Sequence, residues 1–165
     1  MWLDLKDIIV TPGAVKSFEC DVSTDGLFVP SVKDFTAPPH AVGQVKNSAG
    51  ALDLTGVLTA EMLCVCDRCG REFLSEKVME LKVPLSAELT EDSDAELWPV
   101  TGGGIDLDIV LASCFILDME TKFLCSPDCK GLCPKCGKNL NDGPCGCVKD
   151  VDPRLAVLGQ LLDNK

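Results

Sequence analysis

Histidine is nearly absent from this 165-residue chain, which holds one, His40, against eleven cysteines. A catalytic zinc site built on several imidazoles is therefore excluded, and a thiolate nucleophile would lack its usual base. Positive charge is scarce as well: 15 Lys and Arg stand against 26 Asp and Glu, a formal charge of −11. No apolar run approaches the roughly 18 residues that span a bilayer. The opening MWLDLKDIIV mixes acids into its apolar residues, where a signal peptide would carry a basic segment and then an unbroken apolar one. The expectation is a cytoplasmic protein with no membrane contact. Three glycines stand together at 102 to 104, but without the spacing and lysine of a phosphate loop.

What is present suits one folded unit. The length allows one real hydrophobic core, and 46% hydrophobic residues fit a folded chain. In a reducing compartment the cysteines do not read as a disulfide scaffold, and their odd number argues the same way. Metal ligation becomes the first reading.

The pattern along the chain predicts an α+β fold: a mostly antiparallel β core, as a curved sheet or small barrel, with a few helices and a C-terminal cysteine-rich zinc-binding segment. Residues 2–10 suit a short helix or an edge strand, AVKSFECDV a strand, and 31–39 a loop. Residues 41–85 read as a meander of Val/Leu/Thr-rich strands, with Gly43, Gly50 and Gly56 at turns or bulges. Residues 86–105, acidic and then glycine-rich, suggest a mobile loop. A helix follows over 106–118, with Asp106 or Asp108 as cap and Cys114 as a core thiol. The expected organisation is a core of residues 1–121 and a segment of residues 122–165, comprising the cysteines and a short terminal helix from Asp152 and Pro153, packed on that core.

The chemistry-bearing stretch is CSPDCKGLCPKCGKNLNDGPCGC, residues 125 to 147. Its strongest piece is CPKCG, in which Cys133 and Cys136 share one ion and Gly137 permits the tight backbone that turns amides toward sulfur. A second pair must complete the tetrahedron, either Cys125 with Cys129 or Cys145 with Cys147. The first is preferred, because a three-residue gap lets both sulfurs converge, whereas alternate residues of an extended chain point to opposite sides. One zinc ion, fully ligated by sulfur and hence structural, is expected. Upstream, CVCDRCG carries a second pair, Cys66 and Cys69, read mainly as buried or semi-exposed thiols and less as half of a second metal site or as joining one of the late pairs in space; Cys64 is an ambiguous extra. A redox pair would begin a helix, and this one lies in a strand or turn.

Together, CDRC at 66 to 69, IDLD at 105 to 108, the stretch 124 to 147 and DPRLAVL at 152 to 158 resemble the YceD family, the large ribosomal RNA subunit accumulation proteins. The matching positions are Cys66, Arg68 and Cys69, then Cys125, Cys129, Lys130, Gly131, Leu132, Cys133, Cys136, Gly137, Asn141, Cys145 and Cys147, then Asp152, Pro153 and Arg154. Gly70 departs from the Leu common after the first pair, and DMETKF lacks the proline usual before Cys125. The resemblance implies a noncatalytic role in accumulation or processing of large-subunit ribosomal RNA during ribosome assembly.

Charge bears on the partner. Residues 1–121 carry 8 Lys/Arg against 21 Asp/Glu, whereas residues 122–149 carry 5 against 2. Arg68, Arg71, Lys130, Lys135, Lys138, Lys149 and Arg154 are the candidate interaction surface, toward large-subunit precursor rRNA or a basic ribosomal protein. Two other readings compete: a metal-dependent RNA-processing enzyme using Asp106 and Asp108, which helix capping explains more simply, and a zinc-stabilised protein adaptor unrelated to ribosomes.

Overall fold

A computed structural model describes residues 1–87 and 97–147. The elements run β1 (Trp2–Asp4), α1 (Lys6–Val10), β2 (Val15–Asp21), β3 (Val32–Phe35), β4 (His40–Ser48), β5 (Ala51–Val65), β6 (Glu72–Ser86), β7 (Trp98–Pro99), β8 (Gly104–Asp106) and α2 (Leu107–Leu117), then a 3-10 turn, Leu140–Asp142. The larger sheet has the order β2-β4-β5-β6-β7 with β3 also on β5, all antiparallel except the β6–β7 rung. The architecture is α+β. No pairing joins β2 to β7 among the described residues, and the sheet there does not close into a barrel.

β5 and β6 form the spine of the molecule. They pair from Leu52↔Leu85 to Val65↔Glu72 and leave residues 66–71 as the hairpin tip. The alternation is regular: Leu52, Leu54, Leu58, Ala60, Met62 and Cys64 face the core from β5, while Met79, Leu81, Val83 and Leu85 face it from β6. Cys66 continues the same stripe and is buried. The core face thus runs out of the sheet directly into a cysteine.

Helix α2 covers this face with Leu107, Val110, Leu111 and Phe115. Asp106 caps it by accepting from the Asp108 amide at 3.1 Å, and Lys77 of β6 donates to the terminal Asp118 carbonyl at 2.6 Å. Cys114 packs half-buried against the core. At Gly43 and Gly56, which pair directly, added Cβ atoms would lie 2.5 Å from the Thr55 carbonyl and 2.4 Å from the Val42 carbonyl, and the Phe18 ring fills the space. Glycine is required there by close approach of backbone.

One expectation changes: the stretch 31–39 is not all loop, since β3 pairs with β5 there through an irregular register. Within the span 86–105, expected as a mobile loop, β7 adds a parallel rung to β6, and Thr101 to Gly104 forms a turn that feeds β8 onto β1. Gly102 and Gly103 take left-handed φ of 61° and 81°, and a Cβ on Gly104 would collide with Leu3 O at 2.5 Å. The glycines build a tight crossing. The centre of that span, residues 88–96, lies outside the described residues, as do the stretch expected to form a terminal helix, Lys149 and Arg154.

Candidate metal centres

The hairpin tip and the late cysteine stretch each contain a knuckle, and the two are built alike. At the tip, Gly70 N donates to Cys66 O at 2.8 Å and Cys66 N to Arg71 O at 2.9 Å; in the late stretch Gly137 N donates to Cys133 O at 2.9 Å and Cys133 N to Lys138 O at 2.8 Å. Gly70 and Gly137 adopt φ of 69° and 70°, a region costly for any residue with a Cβ. This geometry aims the amides at positions two and three beyond each first cysteine at its sulfur. Those of Arg68 and Cys69, with that of Cys125, face Cys66; those of Cys136 and Lys135 face Cys133.

Each knuckle gathers a second pair. Cys66 and Cys69 meet Cys125 and Cys129, while Cys133 and Cys136 meet Cys145 and Cys147, the four sulfurs of each group lying within 4.8 Å of one another. In the first group Cys66 Sγ is 3.8 Å from Cys129 Sγ, and Cys69 Sγ is 3.6 Å from Cys125 Sγ. A tetrahedral zinc with Zn–S near 2.3 Å requires sulfurs about 3.8 Å apart, and a disulfide about 2.05 Å. The thiols are free, and the first group fits a tetrahedral thiophilic cation such as zinc. Four soft sulfur donors with no water position suit a structural ion.

The sulfurs group differently from the preferred quartet. The preferred quartet of Cys125, Cys129, Cys133 and Cys136 is split between two groups, and Cys66 with Cys69, read mainly as unliganded thiols, completes one of them. Two physical reasons account for it. Gly131, at φ 72°, turns the chain between Cys129 and Cys133; its own site has no room for a Cβ, which would lie 2.9 Å from Arg68 O, and Leu132 N donates to that same carbonyl at 3.1 Å. Residues 143–147 form no strand, with Gly143 at φ 125°, so the objection that alternate residues diverge does not apply to Cys145 and Cys147. Cys64 belongs to the core stripe, not to either group.

The first centre is anchored to the sheet by Asp67. Its amide donates to Phe123 O at 2.9 Å and its carboxylate accepts from Phe123 N at 2.6 Å and from the Ser31 hydroxyl, which holds that carboxyl below its ordinary value. The sulfurs themselves diverge. Burial pushes Cys66 up, but the amides of Cys125, Arg68 and Cys69 outweigh it and bring its thiol down to about 6. Amides of Cys136 and Lys135 bring Cys133 down to about 6 as well. Burial and neighbouring thiols push Cys125 up to about 12, and the Cys136 thiol, then burial, push Cys147 up to about 12. Crowded sulfurs resist ionising together, and a central divalent cation removes that opposition.

Several residues expected on an interaction surface make internal contacts. Arg68 donates to Cys129 O at 3.0 Å, Arg71 pairs with Asp142 at 2.9 Å, and Lys138 donates to Pro144 O at 3.0 Å. Lys130 and Lys135 lie exposed between the clusters and on the second knuckle. The carboxylates of Asp106 and Asp108 face the Met1 amino group, which bonds both. His40 has Asp21 at 2.8 Å and Glu19 at 3.5 Å, because β2 and β4 pair Asp21 with it in register.

An α+β protein whose sheet hairpin and C-terminal stretch share a four-cysteine centre, beside a second such centre, is the class these features define. The chain belongs to the YceD family: residues 54–162 match the family model described as large ribosomal RNA subunit accumulation protein YceD. Proteins named as uncharacterized from Mycobacterium bovis and Mycobacterium tuberculosis are 33% identical over 123 residues, covering 72% of this chain and 59% of theirs. One from Mycobacterium leprae is 27% identical over 136 residues, covering 79% and 62%. The chain therefore spans about three fifths of these relatives. No solved structure matches. No helix among the described residues is long and apolar enough to cross a membrane.

Proposed function

We propose that the protein is a noncatalytic cytoplasmic factor in large-subunit ribosomal RNA accumulation and ribosome assembly, presenting a surface ordered by two structural zinc ions. The observation that carries this reading is the convergence of eight cysteines into two four-sulfur groups in a chain of this family. Cys66, Cys69, Cys125 and Cys129 would hold one ion, and Cys133, Cys136, Cys145 and Cys147 the other. The ions would join a polar stretch, too short for a core of its own, to the tip of the sheet hairpin.

Charge favours a basic ribosomal protein over bare RNA as the direct partner. Each zinc with four thiolates would carry about −2, which offsets the lysines around it. The chain as a whole stands at −11. Beside the first centre, Phe28, 82% exposed, lines a groove of about 450 Å³ with Asp67, Ile116, Met119 and Lys122. Such apolar surface suits a protein contact.

Crosslinking in cells followed by recovery of bound proteins and RNA tests the proposal. Sedimentation with immature large subunits and crosslinks from residues 66–72 or 122–147 to a basic ribosomal protein or precursor rRNA are expected. Copurification with other proteins, and absence from ribosomal particles, would favour the adaptor reading instead.

A further inference from the structure

The side chain of Asn141 lies between the two four-cysteine groups and touches a sulfur of the first. Between the ligands Cys136 and Cys145 of the second group, the chain folds back on the first through Leu140–Asp142. Leu140 N donates to Gly131 O at 2.9 Å, and the Lys130 amide donates to Asn141 Oδ1 at 2.8 Å. Asn141 Nδ2 donates to the sulfur of Cys129 at 3.3 Å. Asn139 Oδ1 fixes that amide by accepting from Asn141 N at 3.0 Å and Nδ2 at 2.8 Å. Arg71 of the hairpin reaches the same turn through Asp142.

We infer that Asn141 is a positioning residue through which the two sites load metal cooperatively. The inference rests on the proposal that both groups hold an ion. The stretch 137–144 is polar and short, with no buried side chain among its residues, so its shape depends on what holds its two ends. An ion at the second site ties Cys133 and Cys136 to Cys145 and Cys147, closing the loop that carries Asn141. The fixed Asn141 amide then supplies an N–H donor to the Cys129 thiolate, a contact that favours the ionised, metal-binding sulfur. By linkage, an ion at the first site, which fixes Cys129 and Lys130, strengthens binding at the second by the same factor.

The full chain, reduced and stripped of metal, is titrated anaerobically with Co(II), with a chromophoric chelator in competition. Thiolate-to-cobalt charge transfer and tetrahedral visible bands report each site. The expected wild-type result is joint filling, with the one-ion species under-represented. Dismantling the second site with Cys136→Ser and Cys147→Ser should weaken the first about 10–100-fold. Asn141→Asp keeps the acceptor for Lys130 but loses the donor to sulfur; it should weaken the first site in that same range and make it insensitive to the state of the second. Asn141→Ala should do likewise, with far-ultraviolet circular dichroism checking that each variant folds. Equal first-site affinity with and without the second site overturns the inference, as does an Asn141→Asp protein that still fills jointly. Two ions that bind independently defeat cooperativity alone, whereas a folded chain that binds none defeats the structural-zinc proposal beneath it.

Discussion

Asn47 is the one buried polar side chain among the described residues, and every part of its amide is used. Nδ2 donates to Ile8 O at 2.7 Å and Ile9 O at 3.1 Å, closing the end of α1, while Oδ1 accepts from Gly50 N at 2.7 Å in the β4–β5 turn. Asn47→Ala should cost about 1–3 kcal/mol, read as a lower urea midpoint at unchanged slope, because carbonyls and an amide are left unpaired. His40 offers a second test. Hydrogen bonding to Asp21, against slight desolvation, raises its pKa above the ordinary 6.5. The sign follows: its contribution to stability is complete below 6.5 and is lost as pH rises through the higher folded value. As the lone imidazole it gives a single set of ring signals in an NMR titration. These should titrate above 6.5 in the native protein and fall toward it in Asp21→Asn; titration at or below 6.5 with Asp21 intact would contradict the pairing.

Among the elements, the β4–β5 hairpin carries a defect that can be repaired. Ser48 pairs with Ala51, so Ala49 and Gly50 are the two turn residues, with φ of 54° and 100°. A turn with both φ positive favours Asn-Gly over Ala-Gly. Ala49→Asn should therefore stabilise the protein by about 0.5–1 kcal/mol, measured by denaturant unfolding. The opposite is expected at Gly43→Ala, where a Cβ meets backbone and the Phe18 ring; a loss of at least about 1–3 kcal/mol should follow. The β5 and β6 strands were legible in sequence because one apolar face repeats every second residue, and α2 because Asp106 precedes an apolar run. The 102–104 turn was not, since its shape depends on β1, a partner about a hundred residues earlier. Nor was β3, only four residues long and irregular in register.

Across the whole molecule, the cysteines were legible as candidate ligands but not in their grouping. Spacing identifies a knuckle wherever a glycine follows C-x2-C. It does not reveal which second pair each knuckle meets, because that depends on the left-handed Gly131 and on the contact of the 131–132 backbone with Arg68 O. If the first centre holds an ion, it is what ties the late stretch to the sheet, together with the Asp67–Phe123 bonds. Chelation should then raise amide hydrogen exchange across residues 124–147 and at 66–71, while leaving the β4–β5 ladder protected.

The most direct measurement is native mass spectrometry of the reduced protein with its metal retained, repeated on Cys66→Ser/Cys69→Ser and Cys133→Ser/Cys136→Ser. Two zinc ions per native chain, and loss of metal when either knuckle is removed, are predicted. A single ion that survives removal of Cys66 and Cys69 but is lost with Cys133 and Cys136 would contradict the account.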